Sequence, residues 1–459
     1  MIIISSLLKQ VLFEKMSGAV SSCYIFKSVF TQNSGVELTP SKFVAMNIMQ
    51  NFVGDDIFDK IMCRYSFYPK DLLTLLENTQ DLKLTIIAGR WDKEVYNTLS
   101  SEEPKIYTYN VIIANPGDII KSLPPAVFKE TPETQYERDS LQKPIDIDMQ
   151  LMTADSLELK RQGINTCLAD TTIEAVLLYL AEIWDIKKVE ITKVHNTKQY
   201  DTILLPPLID LPNAVRKLQE EYGIYDKGVG VHYTNDTLYI FPAYDTSPEK
   251  LEVCNIFKLP EGSVDGGDSY HRFDGTDLYI ATFANTAAVN TAQASAENVG
   301  NAVVVKQADT SMTAGHTVAN DGKITMNQQS TIMAKVNSSA TATSNMVAPT
   351  YGGTSSNIFD KLSNLSAGQL EHVGVGWLFA EPFAIEPGMK CILHYDDTTA
   401  VEEDQKYTTT PGVVEAVEYT LSEHSHTPTT VYKWKASVSV AVAPKEQDVA
   451  QTTDATPTK

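Results

Sequence analysis

The residues of this sequence that are most able to do chemistry are two groups of potential metal ligands. They are three histidines towards the C-terminus and three aspartates towards the N-terminus: His394, His424, His426, Asp55, Asp56 and Asp59. Two of the histidines stand in a Ser/Thr/Pro-rich stretch, which predicts an exposed hairpin tip. The aspartates match no standard calcium loop, and their spacing is typical of a solvated helix start. We therefore predict no metal site and no cofactor.

Enzyme motifs are missing from the sequence. There is no GxxxxGK[ST] phosphate loop, no GxSxG nucleophile elbow and no HExxH zinc motif. Gly228 and Gly230 lack the third glycine of a dinucleotide loop, and Gly266-Gly267 between two aspartates predicts a tight turn. Two carboxylates for glycoside cleavage could still meet in space, but among 58 acidic residues that possibility carries little information. The sequence predicts no catalytic residue and no enzyme.

The composition favours a folded protein with several domains. The chain has 459 residues, 43% of them hydrophobic, where a typical domain has ~150 residues. A net charge of −21 argues against a protein that coats nucleic acid or anionic membranes. The five cysteines form no CxxC pair, which favours reduced thiols in a protein folded in a cytosol. We expect neither a secretion signal nor membrane insertion, because no apolar run approaches ~18 residues.

The first 120 residues read as a β-rich domain. Strands are predicted over residues 24–30, 62–68, 82–88 and 106–114, where aromatic and β-branched residues are concentrated, and a short helix over 71–77. This is the pattern of a β-barrel or sandwich. Prolines and charges over residues 121–143 predict a linker.

Residues 144–280 read as a mixed α/β domain. Apolar residues alternate with polar ones from Ile145 to Leu151, which predicts an amphipathic strand. A capping box at Thr171 and Glu174 begins a helix with a wide apolar stripe, and a second helix runs over 211–222. Strands over 230–233 and 237–241 follow.

The rest of the chain divides by composition. Residues 281–360 form a segment rich in Ala, Thr, Ser and Asn, which is either a flexible linker or an extended arm that orders against neighbouring subunits. Residues 361–443 read as a second β-domain, and residues 444–459 as a polar tail.

One stretch is more specific than any of these patterns, namely YDTILLPPLIDLPNAVRKLQEEYGIY at residues 200–225, followed by VHY at 231–233 and LYI at 238–240. It resembles the baseplate hub proteins of contractile-tailed bacteriophages and the related hub part of type VI secretion spike proteins. The resemblance extends over residues 60–250 and 373–443, whereas residues 281–350 depart from the family pattern. It implies a buried helix face at Leu211, Val215 and Leu218, and a turn into the next strand at Gly223, Ile224 and Tyr225.

The resemblance also implies a fold and a role. The fold is mainly β, with two tube-like β-barrel domains (1–120 and 361–443), the α/β insertion and the low-complexity arm; Trp377, Phe379, Trp434 and Val438 would fill the closing barrel. The role is a structural virion protein, made in the host cytoplasm. A homotrimer would form a pseudo-sixfold ring that joins the tail tube protein to the central spike protein, beside other baseplate proteins. No membrane or sequence-specific nucleic acid is expected as a partner.

Two other functions compete with the hub. A tail tube initiator or a baseplate wedge protein would share the structural role but would have sixfold stoichiometry. A tail-associated cell-wall hydrolase would need a desolvated acid, with a raised pKa, near a second carboxylate in a cleft.

Overall fold

The structure is a computed structural model, and it describes residues 5–52, 57–92, 104–234, 236–246, 253–259, 269–282, 370–396, 406–425 and 430–442, with short pieces at 288–289, 306–308, 311–313, 315–318, 324–327, 343–344 and 359. Most of the predicted arm, the polar tail, Asp55, Asp56, His426 and the Gly266-Gly267 turn lie outside the described residues. Among the described helices, none is long and apolar enough to cross a membrane.

The described chain is mainly β. Its helices are α1 (Ser6–Lys15), α2 (Pro69–Glu77), α3 (Pro116–Ser122), α4 (Gln135–Leu141), α5 (Ala154–Arg161), α6 (Ile173–Ile183) and α7 (Leu211–Glu221), with a 3₁₀ helix at Pro125–Phe128. Its strands up to residue 258 are β1 (Ser22–Thr31), β2 (Glu37–Leu38), β3 (Lys42–Asn51), β4 (Lys60–Phe67), β5 (Lys83–Asp92), β6 (Lys105–Ile112), β7 (Ile145–Met152), β8 (Ile164–Thr172), β9 (Lys188–Ile191), β10 (Gln199–Ile209), β11 (Val229–Thr234), β12 (Thr237–Pro242) and β13 (Val253–Lys258). The later strands are β14 (Tyr270–Asp274), β15 (Asp277–Thr282), β16 (Ala288–Val289), β17 (Lys306–Ala308), β18 (Ser311–Thr313), β19 (Gly315–Val318), β20 (Ile324–Asn327), β21 (Thr343–Ser344), β22 (Glu371–Leu378), β23 (Lys390–Asp396), β24 (Tyr407–Ser425) and β25 (Val431–Val442).

One mixed sheet of 15 strands dominates the fold. Its order, β14-β15-β13-β23-β24-β3-β4-β7-β6-β5-β1-β25-β22-β16, interleaves strands from the two ends of the chain. The remaining strand, β2, pairs with β1 beside this path, and β24 also pairs with β25. That last pairing closes a circuit of hydrogen-bonded strands that runs from β24 through β3, β4, β7, β6, β5, β1 and β25. The mainly β class is therefore confirmed, whereas two separate barrels and their boundaries stay a prediction.

The alternation of side chains explains where the main core lies. On β7, Ile147, Met149 and Leu151 are buried, whereas Asp146 and Asp148 face solvent. This is the pattern predicted from the sequence, because successive residues of a strand point to opposite faces of the sheet.

A second core holds the α/β region together. Helices α6 and α7 pack with the two-stranded ribbon β8–β10 and with the three-stranded sheet β11-β12-β9 around one cluster of buried apolar residues. Both helices were predicted, and each buries a stripe spaced three and four residues apart.

Three local predictions differ from the structure. The expected linker at 121–143 carries helix α4 and the 3₁₀ helix, and its Leu123 and Val127 are buried in the main core. The cap of α6 is Thr172, the last residue of β8, and not Thr171; the Thr172 hydroxyl accepts from the Ala175 amide. Helix α1 was not predicted; its Ser5 cap also donates to the Asp396 carboxylate, so a distant strand helps to hold it.

Candidate functional site

The stretch that carries the family resemblance folds into one buried corner after α7. Leu211, Val215 and Leu218 are almost fully buried on the inner face of the helix. Gly223 has a φ of +82° and donates its amide to the Leu218 carbonyl at 2.8 Å, which ends the helix. Ile224, the residue after this helix end, is fully buried.

The side chain of Gln219 holds this corner together. Its Oε1 accepts the backbone N–H groups of Ile224 at 2.9 Å and Tyr225 at 3.0 Å, and its Nε2 donates to the Tyr225 carbonyl at 2.9 Å. The amide is buried, so these bonds satisfy polar groups that water does not reach. Sequence reasoning missed Gln219, although a glutamine on the apolar face of a helix was a usable signal.

Asn196 closes the corner from the other side. Its Nδ2 donates to the carbonyls of Tyr222 at 2.8 Å and Gly223 at 2.9 Å, and its Oδ1 accepts from the Lys198 amide at 3.0 Å. These are the carbonyls that a helix end leaves without intrahelical partners. A loop asparagine gives no sequence signal for this role, because the contact depends on the tertiary fold.

Tyr225 is buried with its ring inside the second core, and its hydroxyl donates towards the carbonyls of Thr192 and Ile240. Burial raises its pKa beyond the usual range, so the phenol stays protonated as a hydrogen-bond donor. The corner positions a turn rigidly, and at its exposed side His195 Nδ1 lies 2.7 Å from the Asp226 carboxylate.

Gly223 can be tested against a matched glycine. Gly18 has a similar φ of +78°, but a Cβ there meets nothing within 4 Å, whereas a Cβ at Gly223 would lie 2.5 Å from the Phe359 side chain. We expect Gly18→Ala to cost about 1 kcal/mol of unfolding free energy from backbone strain, and Gly223→Ala roughly twice that or more. Urea denaturation of both variants measures this. Equal losses would show that Phe359 moves aside without cost.

Three other predicted residues are buried on or next to strands β22 and β25, namely Trp377, Phe379 and Trp434. Trp377 on β22 meets the ring of His271 edge-on at 5.1 Å, and Trp434 on β25 meets Tyr419 at 6.3 Å. Phe379 follows β22 with a φ of +55° and packs in a separate small cluster with Cys23 and Val431. The structure therefore places the predicted residues in the two cores and in this small cluster rather than at one site.

A cleft opens beside Trp434 in the main sheet. Its walls are largely aromatic and aliphatic, and they include Tyr24, Phe26, Ile86, Tyr107, Phe383 and Trp434. Its volume is about 40 Å³. That is room for about three water molecules.

Glu381 is the carboxylate among the charged residues that line this cleft, which also include Arg90 and Lys105. Its carboxylate accepts a hydrogen bond from the Tyr24 hydroxyl. The same carboxylate forms an ion pair with Lys105, at 3.2 Å from Nζ. Burial and then Glu381 raise the pKa of Tyr107 to about 12. Among the described residues that line the cleft, Glu381 is the one carboxylate, whereas glycoside hydrolysis uses a pair of acids.

Asp155 and Asp236 form a carboxylate pair elsewhere in the described chain. Burial, followed by a hydrogen bond to Asp155, raises the pKa of Asp236. Lys187 Nζ lies 3.8 Å from Asp155, and both side chains of that ion pair are more than a third exposed. The pair lies outside the lining of the aromatic cleft and forms a surface ion cluster.

Glu415 is the bulged residue of β24 opposite β25, and its carboxylate contacts His372 and Ser439. Glu415 Oε2 lies 2.6 Å from His372 Nδ1 and accepts from Ser439 Oγ at 3.2 Å. The serine therefore contacts the carboxylate and not the imidazole. This is not the nucleophile–base contact of a catalytic triad.

The candidate metal ligands have separate partners. His394 is buried, with Nδ1 2.7 Å from the Tyr407 hydroxyl and Nε2 3.1 Å from Asn255 Oδ1, whereas the ring of His424 packs against Phe379. Asp59 accepts from Gln50 and Thr234. Within the described ranges, no group of three His, Cys, Asp or Glu residues could hold a metal ion.

The fold and this site define a mainly β protein built around two packed cores. Residues 48–259, a little under half of the chain, match the family model described as Bacteriophage PBS1 gene 109 protein. The match includes the corner and the ribbon β8–β10. No curated protein sequence matches the chain.

Solved structures with a similar fold come from phage tails and type VI secretion. The E. coli c3393 protein, a type VI secretion component described as similar to the T4 tail proteins gp27 and gp5, is 6% identical, with 91% of this chain and 77% of that chain covered and a TM-score of 0.40. The Listeria monocytogenes prophage tail protein gp18 is 9% identical, with 92% and 95% covered and a TM-score of 0.35. The Francisella PdpA–VgrG complex is 7% identical, with 92% and 58% covered and a TM-score of 0.34.

Proposed function

We propose that this protein is a structural component of a phage tail baseplate, namely the hub, without enzymatic activity. The observation that supports this most is that the stretch resembling baseplate hubs, residues 200–225, lies inside the match to a bacteriophage protein family. In the structure the end of that stretch is a buried corner in which the Gln219 side chain positions the backbone of Ile224 and Tyr225.

The hub acts as an adaptor. Three copies form a ring in which each chain contributes two tube-like units, so that a threefold spike meets a sixfold tube. The abundance of β-structure suits this role, because permanent ring interfaces bury roughly 2,000–5,000 Å² and are formed by rigid surfaces. Trp377, Trp434 and Val438 act by keeping the closing strands rigid, and the Ala/Thr/Ser/Asn-rich arm contacts the neighbouring subunit.

Two measurements test the proposal. Antibody labelling of a tagged protein in virions should mark the end of the tail distal to the head. Light scattering of the purified full chain should give a mass near three times 50.7 kDa. A sixfold stoichiometry would favour a tube initiator or a wedge protein instead, and lytic activity on peptidoglycan would favour the hydrolase. Absence of the protein from virions would reject the proposal.

A further inference from the structure

The ribbon β8–β10 presents an outer face that the described part of the chain leaves uncovered. Cross-strand partners share a face, and the pairs Leu204–Cys167 and Thr202–Ala169 are exposed, while Ile203 and Leu205 point into the second core. Leu204 is 58% exposed. One face of the ribbon therefore packs on the second core, and the other face is exposed.

The central part of this outer face is uncharged, and the exposed Asp170 and Asp201 lie at the next positions of β8 and β10. No charged residue occurs from Gly163 to Ala169 or from Thr202 to Ile209, although 21% of the chain is charged and its net charge is −21. Two copies of so acidic a chain repel each other wherever carboxylates meet. An uncharged face is where a second copy can approach without that repulsion.

Leu208 adds an exposed apolar side chain to the same surface, and its backbone conformation is strained. It sits in the irregular part of β10 with a φ of +60°, and its side chain is 85% exposed. A bulky residue rarely adopts this backbone conformation, and no burial within its own chain offsets the strain. Gly163 makes room for it, because a Cβ there would lie 3.0 Å from the Leu208 carbonyl oxygen.

The ribbon also has one open edge. In the described chain β8 and β10 pair only with each other. The outer side of β10 is obstructed, because Pro206 and Pro207 have no N–H and the Tyr222 hydroxyl accepts the Leu204 amide at 3.2 Å. The edge of β8 carries no lysine or proline that would block pairing with another chain.

From these observations we infer that the outer face of the β8–β10 ribbon, with Leu204 and Leu208 as its apolar anchors, is a contact surface for a second copy of this chain. The inference rests on the proposed function, because it names the surface through which the proposed ring subunits touch. Leu208 is held in its strained conformation so that its side chain reaches the neighbouring copy.

The test compares two double variants of the full chain by light scattering across a dilution series. Leu204→Glu with Leu208→Glu should raise the dissociation constant of the assembly by about 100-fold or more, because like charges in an interface cost several kcal/mol. The control, Phe13→Glu with Tyr136→Glu, adds the same charge at apolar residues that are 83% and 82% exposed and should assemble normally. If the Leu204→Glu, Leu208→Glu variant assembles over the same range of concentrations as the wild-type chain, the inference is wrong.

Two further measurements apply even where the double variant folds poorly. Leu208→Gly relieves the backbone strain, so it should weaken assembly without lowering the melting temperature. Cys167 is the exposed cysteine, and the other four are buried. Its maleimide labelling should slow about tenfold or more on assembly, because a thiol inside an interface reacts only while the interface is open.

The outcomes separate this inference from the proposed function. A chain that stays monomeric at every concentration, or a Cys167 that reacts equally fast in monomer and assembly, would overturn the ribbon contact. Protection of Cys167 only after the spike protein is added would assign the surface to that partner and overturn the second copy. Virion labelling is independent of all three results and tests the hub itself.

Discussion

Replacing Gln219 with leucine is expected to lower the free energy of unfolding by about 3–5 kcal/mol. Leucine is similar in size, so the core stays filled, but the buried backbone groups of Ile224 and Tyr225 lose the three bonds that Gln219 makes. A buried polar group without a partner costs about 1–3 kcal/mol. Urea denaturation of the purified chain measures the change.

Two variants make this result specific to the hydrogen bonds. Gln219→Glu keeps an acceptor for the Ile224 and Tyr225 amides but loses the donor to the Tyr225 carbonyl, so its loss should be intermediate at neutral pH. Gln142→Leu makes the same chemical change at an exposed position after α4 and should change stability by less than about 0.5 kcal/mol. Equal effects of Gln219→Leu and Gln142→Leu would contradict the role of Gln219.

Acid is expected to destabilise the protein strongly between about pH 6.5 and pH 4. Burial lowers the pKa of each of His232, His271 and His394 to about 4, from an ordinary value of 6.5. The unfolded chain takes up protons as the pH falls through 6.5, while the folded chain does so only near 4. The contribution of these three histidines to stability is therefore fully present above pH 6.5, and protonation of each removes about 3 kcal/mol by pH 4.

A histidine variant tests the cause of this acid loss. His271 is completely buried against Trp377, and neither ring nitrogen has a hydrogen-bond partner in the described structure. His271→Phe should leave stability at pH 7 unchanged or higher and should reduce the acid loss by about 3 kcal/mol. His424→Phe replaces an exposed imidazole and serves as the control. An unchanged slope of stability against pH in His271→Phe would exclude its titration as a cause.

Two other groups act differently in the same experiment. Glu415 raises the pKa of His372, so that pair adds stability below pH 6.5 and loses it as the pH rises through the raised value. Lys129 and two backbone amides lower the pKa of Glu137 to about 2, and its contribution is lost only below its ordinary value of 4.5. The decline between pH 6.5 and 4 is therefore assigned to the buried histidines.

Local patterns predicted most elements of the fold. The strand at Ile145–Met152 and the helices α6 and α7 are present because side-chain periodicity alone specifies which face can be buried. The end of α7 was also readable, because Gly223 can adopt the left-handed conformation at little cost. Local chemistry did not separate Thr171 from Thr172 as the cap of α6, because either hydroxyl can accept an orphan amide.

Contacts between residues that are distant along the chain could not be predicted from the sequence. Gln219 lies on α7, but the use of its amide depends on a turn that returns beneath the helix. Asn196 is distant from Gly223 in sequence, and no local sequence pattern predicts the hydrogen bond between them. The expected linker at 121–143 has the prolines and charges of a loop, yet Leu123 and Val127 enter the main core.

The sequence by itself determined the mainly β class, the amphipathic helices, the low-complexity segment and the resemblance to hub proteins. These follow from residue type and spacing, which act over a few neighbours along the chain. Only the tertiary structure decided that β24 pairs with both β3 and β25, and that the ribbon β8–β10 keeps a face with an uncharged central part and a strained Leu208 in the open. Strand pairing and exposure depend on which distant segments meet, and the energies that select them are summed over the whole chain.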